Sequence, residues 1–200
     1  MKKIAIVSAM TLVMLGGCKT TTTYIDAADS KTNVVAALSY ADFSKSANEM
    51  ADEIIESKLM NHPQSDAGGR YIIYVNGIEN DTMQRIDTDQ LTKSLRVKML
   101  NSGKFLVTTA FGEDDATTKM RALKDSKMVK QSSVKGNNEV MAPDFSLSGK
   151  IMQRNSTLDN GDTRIEYYFQ LSMTNINNGL AYYEGERVVG KVADGSSVSW

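Results

Sequence analysis

The C-terminal third of the chain alternates with a period of two. Phe145, Leu147, Gly149 and Ile151 take one set of positions, and Ser146, Ser148, Lys150 and Met152 take the other. Ile165, Tyr167, Phe169, Leu171 and Met173 alternate in the same way with Glu166, Tyr168, Gln170, Ser172 and Thr174. Successive side chains of a strand point to opposite faces, so each run predicts a strand with one apolar and one polar face. Asp159-Asn160-Gly161-Asp162 between them has hairpin chemistry, and Asn177-Asn178-Gly179 turns into a last strand from Ala181 to Val189. The three strands predict an antiparallel meander.

Upstream, helical spacing takes over. Val34 to Tyr40 predicts a short edge strand. Asp42 is placed to cap a helix with apolar or small residues at Phe43, Ala47, Met50, Ala51, Ile54, Ile55 and Leu59. Asn61-His62-Pro63 ends it, because proline cannot continue the hydrogen-bond ladder. Ser65 to Gly69 reads as a loop. Tyr71-Ile72-Ile73-Tyr74-Val75 is apolar without alternation, which predicts a central strand covered on both faces, and Asn76 to Asp81 reads as a turn. Asp87-Thr88-Asp89 opens a second helix with Leu91, Leu95, Val97, Met99 and Leu100 as its apolar positions, and Asn101-Ser102-Gly103 closes it. Phe105 to Ala110 predicts a strand. A third helix is predicted from about Asp114 to Gln131, with acids in its first turn and Lys124, Lys127 and Lys130 later. The reading is a single α/β domain over residues 39–191, in which helix–strand units and the meander share one mixed sheet, followed by a frayed tail at 192–200.

The N-terminus follows a different rule. Met1-Lys2-Lys3 is basic, Ile4 to Leu15 carries no charge, and Gly16-Gly17 leads into Cys18, the one cysteine of the chain. This layout predicts a secretory signal over residues 1–17. The apolar run falls short of the roughly 20 residues of a membrane span. Leu15-Gly16-Gly17-Cys18 resembles the lipobox of bacterial lipoproteins. That resemblance implies diacylglycerol on the Cys18 sulfur, cleavage before Cys18 and acylation of the new amino group. The alternative is an ordinary signal with a cysteine beside it. Acyl chains contribute about 0.8 kcal/mol per buried CH₂, so two or three of them would anchor the chain durably. Lys19 follows the cysteine, and by resemblance to sorting in enteric bacteria this implies the outer membrane, facing the periplasm. Residues 18–38, rich in Thr, Ala and Asp, read as a lipidated flexible tether.

Composition narrows the chemistry. Loss of Lys2 and Lys3 with the signal takes the formal charge from −1 to about −3, and no clustered basic face predicts nucleic-acid binding. Met50, Met60, Met99, Met120, Met128, Met152 and Met173 fall in periodic segments and read as core filling. The single histidine, His62, stands beside Pro63 and lacks the companions of a zinc site or a catalytic triad. Gly68-Gly69 precedes a strand, the wrong order for a phosphate loop. Glu113-Asp114-Asp115 suits a helix start, and Asp159 and Asp162 suit a turn without EF-hand spacing. No catalytic residue, metal or cofactor is therefore predicted.

Three stretches together carry a wider likeness: Asn80-Asp81-Thr82-Met83-Gln84-Arg85-Ile86-Asp87-Thr88-Asp89-Gln90-Leu91, Pro143-Asp144-Phe145-Ser146-Leu147-Ser148-Gly149-Lys150-Ile151, and Glu166-Tyr167-Tyr168-Phe169-Gln170-Leu171. From about Ser39 to Lys191 the chain resembles the LpoB family of outer-membrane lipoproteins, activators of a class A penicillin-binding protein. The resemblance implies a domain similar to the N-terminal domain of TolB, without catalytic activity of its own. It also implies docking on a small periplasmic accessory domain of the bifunctional peptidoglycan synthase, raising its glycosyltransferase and transpeptidase rates. The chain departs from the family in two places. Tyr183 stands where a Trp is frequent. The tether from Cys18 to Ala41 is short: about 24 residues reach at most ~80 Å and average ~27 Å if flexible. A second expectation is an envelope-assembly or secretion lipoprotein with a CsgG-like domain, although no segment is spare for membrane-spanning hairpins. A third is a peptidoglycan hydrolase. The domain is expected to be a monomer.

The polar set of the meander supplies the candidate binding face, with Arg154, Tyr168, Lys150 and Gln170 as the residues expected to meet the partner, because interface anchors are enriched in Tyr and Arg. Ser146, Ser148 and Ser172 share that set, and the alternative is a face that is solvated or covered by a helix. Tyr182, Glu184 and Glu186 are expected on one face of the last strand, its direction left open. The lipobox resemblance generates the first prediction: Cys18→Ser abolishes palmitate labelling and leaves an unprocessed or unanchored species, whereas labelling that persists in the variant refutes the site.

Overall fold

In the computed structural model, which describes residues 37–110, 116–123, 126–133 and 140–193, the first helix begins at a reciprocal cap. Ser39 precedes helix α1 (Tyr40–Glu56), and the Asp42 N–H donates to its Oγ at 3.4 Å while the Ser39 N–H donates to Asp42 Oδ2 at 2.9 Å. Asp42 is thus the returning half of a capping box and not the cap itself. Tyr40, expected in an edge strand, is helical, since the box commits the backbone one residue earlier. Helix α1 buries Phe43, Ala47, Met50, Ala51 and Ile54. It ends at Glu56, where Ser57 turns extended and caps a short 3₁₀ turn over Lys58–Met60. That turn buries Met60 and exposes Leu59, which the helical spacing had placed inward. Ser65–Ala67, read as loop, forms a second 3₁₀ turn.

Strand β1 (Tyr71–Asp81) runs through the stretch expected to turn. Its register shifts between Val75 and Ile78, so Asn76 and Gly77 form an irregularity within the strand and the chain continues in the sheet. The Val75 carbonyl at the shift accepts from Arg96 Nη2 at 3.1 Å. Helix α2 (Thr88–Asn101) is capped by Asp87, whose Oδ1 accepts from the Gln90 N–H at 3.1 Å, and it closes into Gly103 at φ 73°. Leu91, Leu95 and Met99 are buried, whereas Val97 and Leu100 are exposed, because they fall on the flank of α2 away from α1 and the sheet. Strand β2 (Phe105–Thr108) follows, shorter than expected, and α3 (Ala116–Ala122) covers part of the long helix predicted there. Met120 and Met128 are exposed, so the methionines of the core are Met50, Met60, Met99 and Met173.

The meander forms as its alternation dictates. Strands β3 (Phe145–Thr157), β4 (Thr163–Asn175) and β5 (Ala181–Ala193) pair antiparallel, and β1 pairs parallel with β2 on one side and β3 on the other. The chain is a single mixed α/β domain with a five-stranded sheet in the order β2-β1-β3-β4-β5. Strand β5 extends past Val189 to the buried Ala193 and so takes in two residues assigned to the tail. Helices α1 and α2 cover one face, on which Ile73, Val75, Phe105, Phe145, Leu147, Ile151, Phe169, Leu171 and Met173 meet Met50, Ile54, Leu91, Leu95 and Met99. Gly149 lies on that face because nothing larger fits: a Cβ there would stand 2.8 Å from Leu171 Cδ2 and 3.0 Å from the Gln170 carbonyl. Tyr71, central as predicted, stacks edge-on against Phe145 at 5.0 Å, and Ile72 is buried on the opposite face. The predicted signal, Cys18, the tether up to residue 36, and residues 194–200 lie outside the described residues.

Where α1 begins, the start of the domain is tied to its last strand. Lys191 Nζ donates to Asp42 Oδ2 and to the Ala37 carbonyl, both at 2.6 Å, and the two side chains are only 9% and 13% exposed. Burial pushes the Asp42 carboxyl up, but the bonds from Lys191 and Ser39 outweigh it and hold it below the usual carboxylate range. The Leu38 N–H donates to Gln84 Oε1 at 3.0 Å, and Gln84 Nε2 donates to the buried Tyr167 hydroxyl. A carboxyl whose folded pKa is depressed adds stability above its unfolded value of about 3.9 and loses it as pH falls through the folded value. Asp42→Asn is therefore expected to cost about 2 kcal/mol at pH 7, roughly 4–8 °C in Tm. The difference from wild type should shrink below about pH 4. Thermal unfolding at pH 7 and pH 3 measures both, and an equal gap at the two values would contradict the assignment.

Candidate interaction face

The alternate side chains of the meander stand on the sheet face opposite α1 and α2. Ser146, Ser148, Lys150 and Arg154 come from β3, and Glu166, Tyr168, Gln170 and Ser172 come from β4. The register sets Lys150 across from Gln170, Met152 across from Tyr168 and Arg154 across from Glu166. All four residues singled out from the sequence thus share one face.

Their immediate surroundings differ. Lys150 Nζ lies 2.9 Å from Asp81 Oδ2 and 3.1 Å from Glu79 Oε1. The hydrogen bond to Asp81, then that to Glu79, holds the ammonium above the ordinary lysine range. Lys150 is therefore a neutralised cation, fixed against β1. Arg154 is exposed, and its guanidinium carbon stands 5.9 Å from the centre of the Tyr168 ring, within cation–π reach. The Tyr168 hydroxyl donates to Glu166 Oε2 at 3.0 Å, and that bond pushes its pKa up. Arg164 pairs with the other oxygen of Glu166. Arg154 and Tyr168, with Asp81, Met152 and Gln153, line one shallow depression, and Lys150 and Gln170 line a second beside the Asn76-Gly77 irregularity.

Strand β5 completes the face with Glu184 and Glu186, whose carboxylates accept from Ser172 Oγ at 2.6 Å and Gln170 Nε2 at 2.7 Å. Tyr182 does not join them. The register shifts between Met173 and Thr174, and Tyr182 turns to the core side, its ring 5.0 Å from that of Phe145. Glu79 and Asp81 were missed because their stretch reads as a turn. The signal was present, since apolar Ile78 with Glu79 and Asp81 resumes the alternation after Gly77.

The core side of β5 carries a separate set of contacts. The Tyr183 hydroxyl donates to Glu53 at 2.5 Å, and Arg187 pairs with Glu49 and Glu53. The bond from Tyr183 draws the Glu53 carboxyl below its usual range, and burial followed by that bond pushes Tyr183 up. His62 packs edge-on against Tyr71 at 4.8 Å, and its Nδ1 accepts from the Gln64 N–H at 3.1 Å, a packing role. Among the described residues no group of His, Cys, Asp and Glu side chains could hold a metal ion, and no helix is long and apolar enough to cross a membrane.

Comparison with known proteins adds to this geometry. The family described as "Peptidoglycan-synthase activator LpoB" matches residues 42–189. Among solved structures, the LpoB C-terminal domain from Salmonella enterica is similar at 13% identity, covering 74% of this chain and 98% of that one, with a TM-score of 0.45. LpoB from E. coli, solved by NMR, is similar at 12% identity, covering 97% and 93%, with a TM-score of 0.40. Lipoprotein GNA1162 from Neisseria meningitidis is similar at 13% identity, covering 61% and 83%, with a TM-score of 0.37. No curated protein sequence matches.

Proposed function

Because this chain belongs to the LpoB family of peptidoglycan-synthase activators, we propose that it binds a class A penicillin-binding protein and raises its synthetic rate. The observation that carries this reading is the family match, which spans the domain from α1 to β5. In this reading Cys18 carries the lipid, the outer membrane holds the chain on its periplasmic side, and a short tether hands the domain to the periplasmic accessory domain of the synthase. The chain performs no chemistry itself. It activates only by binding the active state of the synthase more tightly than the inactive one, since equal affinity for both would shift nothing.

The contact is centred on Arg154 and Tyr168, flanked by Lys150 and Gln170. Among the described residues Arg154 forms no ion pair, and its guanidinium stands over an aromatic ring that a partner can cover. Desolvated aromatic and arginine anchors carry most of the energy of an interface. Lys150, already paired with Glu79 and Asp81, contributes shape and register more than attraction.

The test is calorimetric titration of the chain against the periplasmic part of the synthase, with glycan polymerisation followed in parallel. Tyr168→Ala and Arg154→Ala should each cost roughly 2 kcal/mol, about 30-fold in affinity. The far-ultraviolet circular dichroism should not change, because both side chains lie outside the core. Folded variants that bind like wild type would move the contact elsewhere. Wild type that neither binds nor stimulates the synthase would overturn the reading, and release of muropeptides by the chain alone would make it a hydrolase.

A further inference from the structure

The strand order leaves β5 at an edge, and among the described residues its backbone pairs with β4 alone. An edge strand offers a row of unpaired N–H and C=O groups, which proteins ordinarily blunt by shortness, proline, bulges or outward charges. The opposite edge, β2, is four residues long, but β5 is 13. It contains no proline, and its register shift lies at one end, leaving Tyr183 to Ala193 regular against β4. Its cations are paired within the molecule, Arg187 on Glu49 and Glu53 and Lys191 on Asp42, while the exposed Glu184 and Glu186 stand on the open face, hydrogen-bonded to Ser172 and Gln170. Val188 and Val192 are 51% and 62% exposed, and Gly190 between them has open space where a side chain would be.

We infer that β5 pairs antiparallel with β5 of a second copy of this chain, with Val188 facing Val188 on the twofold axis, to make one sheet across two domains. The charge pattern selects this register. Directly opposed like charges destabilise a strand pair. Centring the pair on Arg187 opposes Arg187 to itself, centring it on Glu186 opposes Glu186 to itself, and centring it on Val189 sets Arg187 against Lys191. Centring it on Val188 sets Glu186 opposite Gly190, Glu184 opposite Val192, Arg187 opposite Val189 and Lys191 opposite Gly185. This register pairs Tyr183 to Ala193 in full with no like charges opposed. A contact of this kind is self-complementary and closes at two copies. It departs from the monomer expected when the sheet and its helices are considered by themselves, and it does not rest on the synthase reading.

Sedimentation equilibrium of the full chain in detergent tests it without the synthase. Wild type should be dimeric at roughly 100 µM, well above the Kd of a micromolar contact. Val188→Lys and Val188→Glu each place like charges on the axis and should lose the dimer, and their equimolar mixture should regain it. Both keep the fold, checked by circular dichroism, since Val188 is outside the core. Leu106→Lys on the other edge should leave the dimer intact. Monomeric wild type, variants that remain dimeric, or a mixture that stays monomeric would each overturn the inference.

Discussion

A sheet whose two core helices lie on the same face must leave its other face to be satisfied differently. Here Met50, Ile54, Leu91, Leu95 and Met99 meet the sheet from one side. The paired strands β3 and β4 therefore divide their residues between a dry layer and an open one. The alternation of Phe145, Leu147 and Ile151 with Ser146, Ser148 and Lys150 follows from that division, as does the small side of Gly149 under Leu171. The open face is largely polar and internally paired, and Met152, Tyr168 and Val188 follow one another across its register from β3 to β5. A surface so ordered by its own hydrogen bonds is presented rigidly, which lowers the entropic cost of any contact made on it.

Two register shifts aim side chains that simple alternation would misplace. At Asn76 and Gly77, β1 changes phase, so Ile78 enters the core beside Gly149 while Glu79 and Asp81 reach Lys150. Between Met173 and Thr174 the mismatch with β5 releases Tyr182 toward Phe145 while Glu184 and Glu186 stay on the open face. One extra residue in a strand reverses the facing of those beyond it, and both sites use that property to separate the acids from the aromatic core.

The ionic contacts of α1 work at different depths. Arg187 with Glu49 and Glu53 is partly exposed, and pairs of that kind contribute about 0–1 kcal/mol. Lys191 with Asp42 is nearly enclosed and joins the last strand to the helix cap, so either partner alone would be left buried and unpaired. The start of the described domain and its end are thus held at the same place.

Local pattern determined the meander, its two turns, the cap of α2 at Asp87 and the sharing of one face by Arg154, Tyr168, Lys150 and Gln170. Each of these depends on side-chain period or turn chemistry within a few residues, which the chain writes directly. The likeness to a family of synthase activators was legible in the same stretches. Tertiary structure alone decided the rest. Asn76 to Asp81 carries turn residues but stays in the sheet, because β3 resumes pairing at Ile78 to Asp81 beyond the Asn76-Gly77 irregularity. Met120 and Met128 have core chemistry but no layer to enter, and Leu59 yields its expected place to Met60. The partners of Lys150 come from a strand about seventy residues away. Among the described residues β5 stands at an edge because of the strand order, which no local period encodes. What a residue faces is set by its neighbours along the chain; what it meets is set by the elements that pack against it.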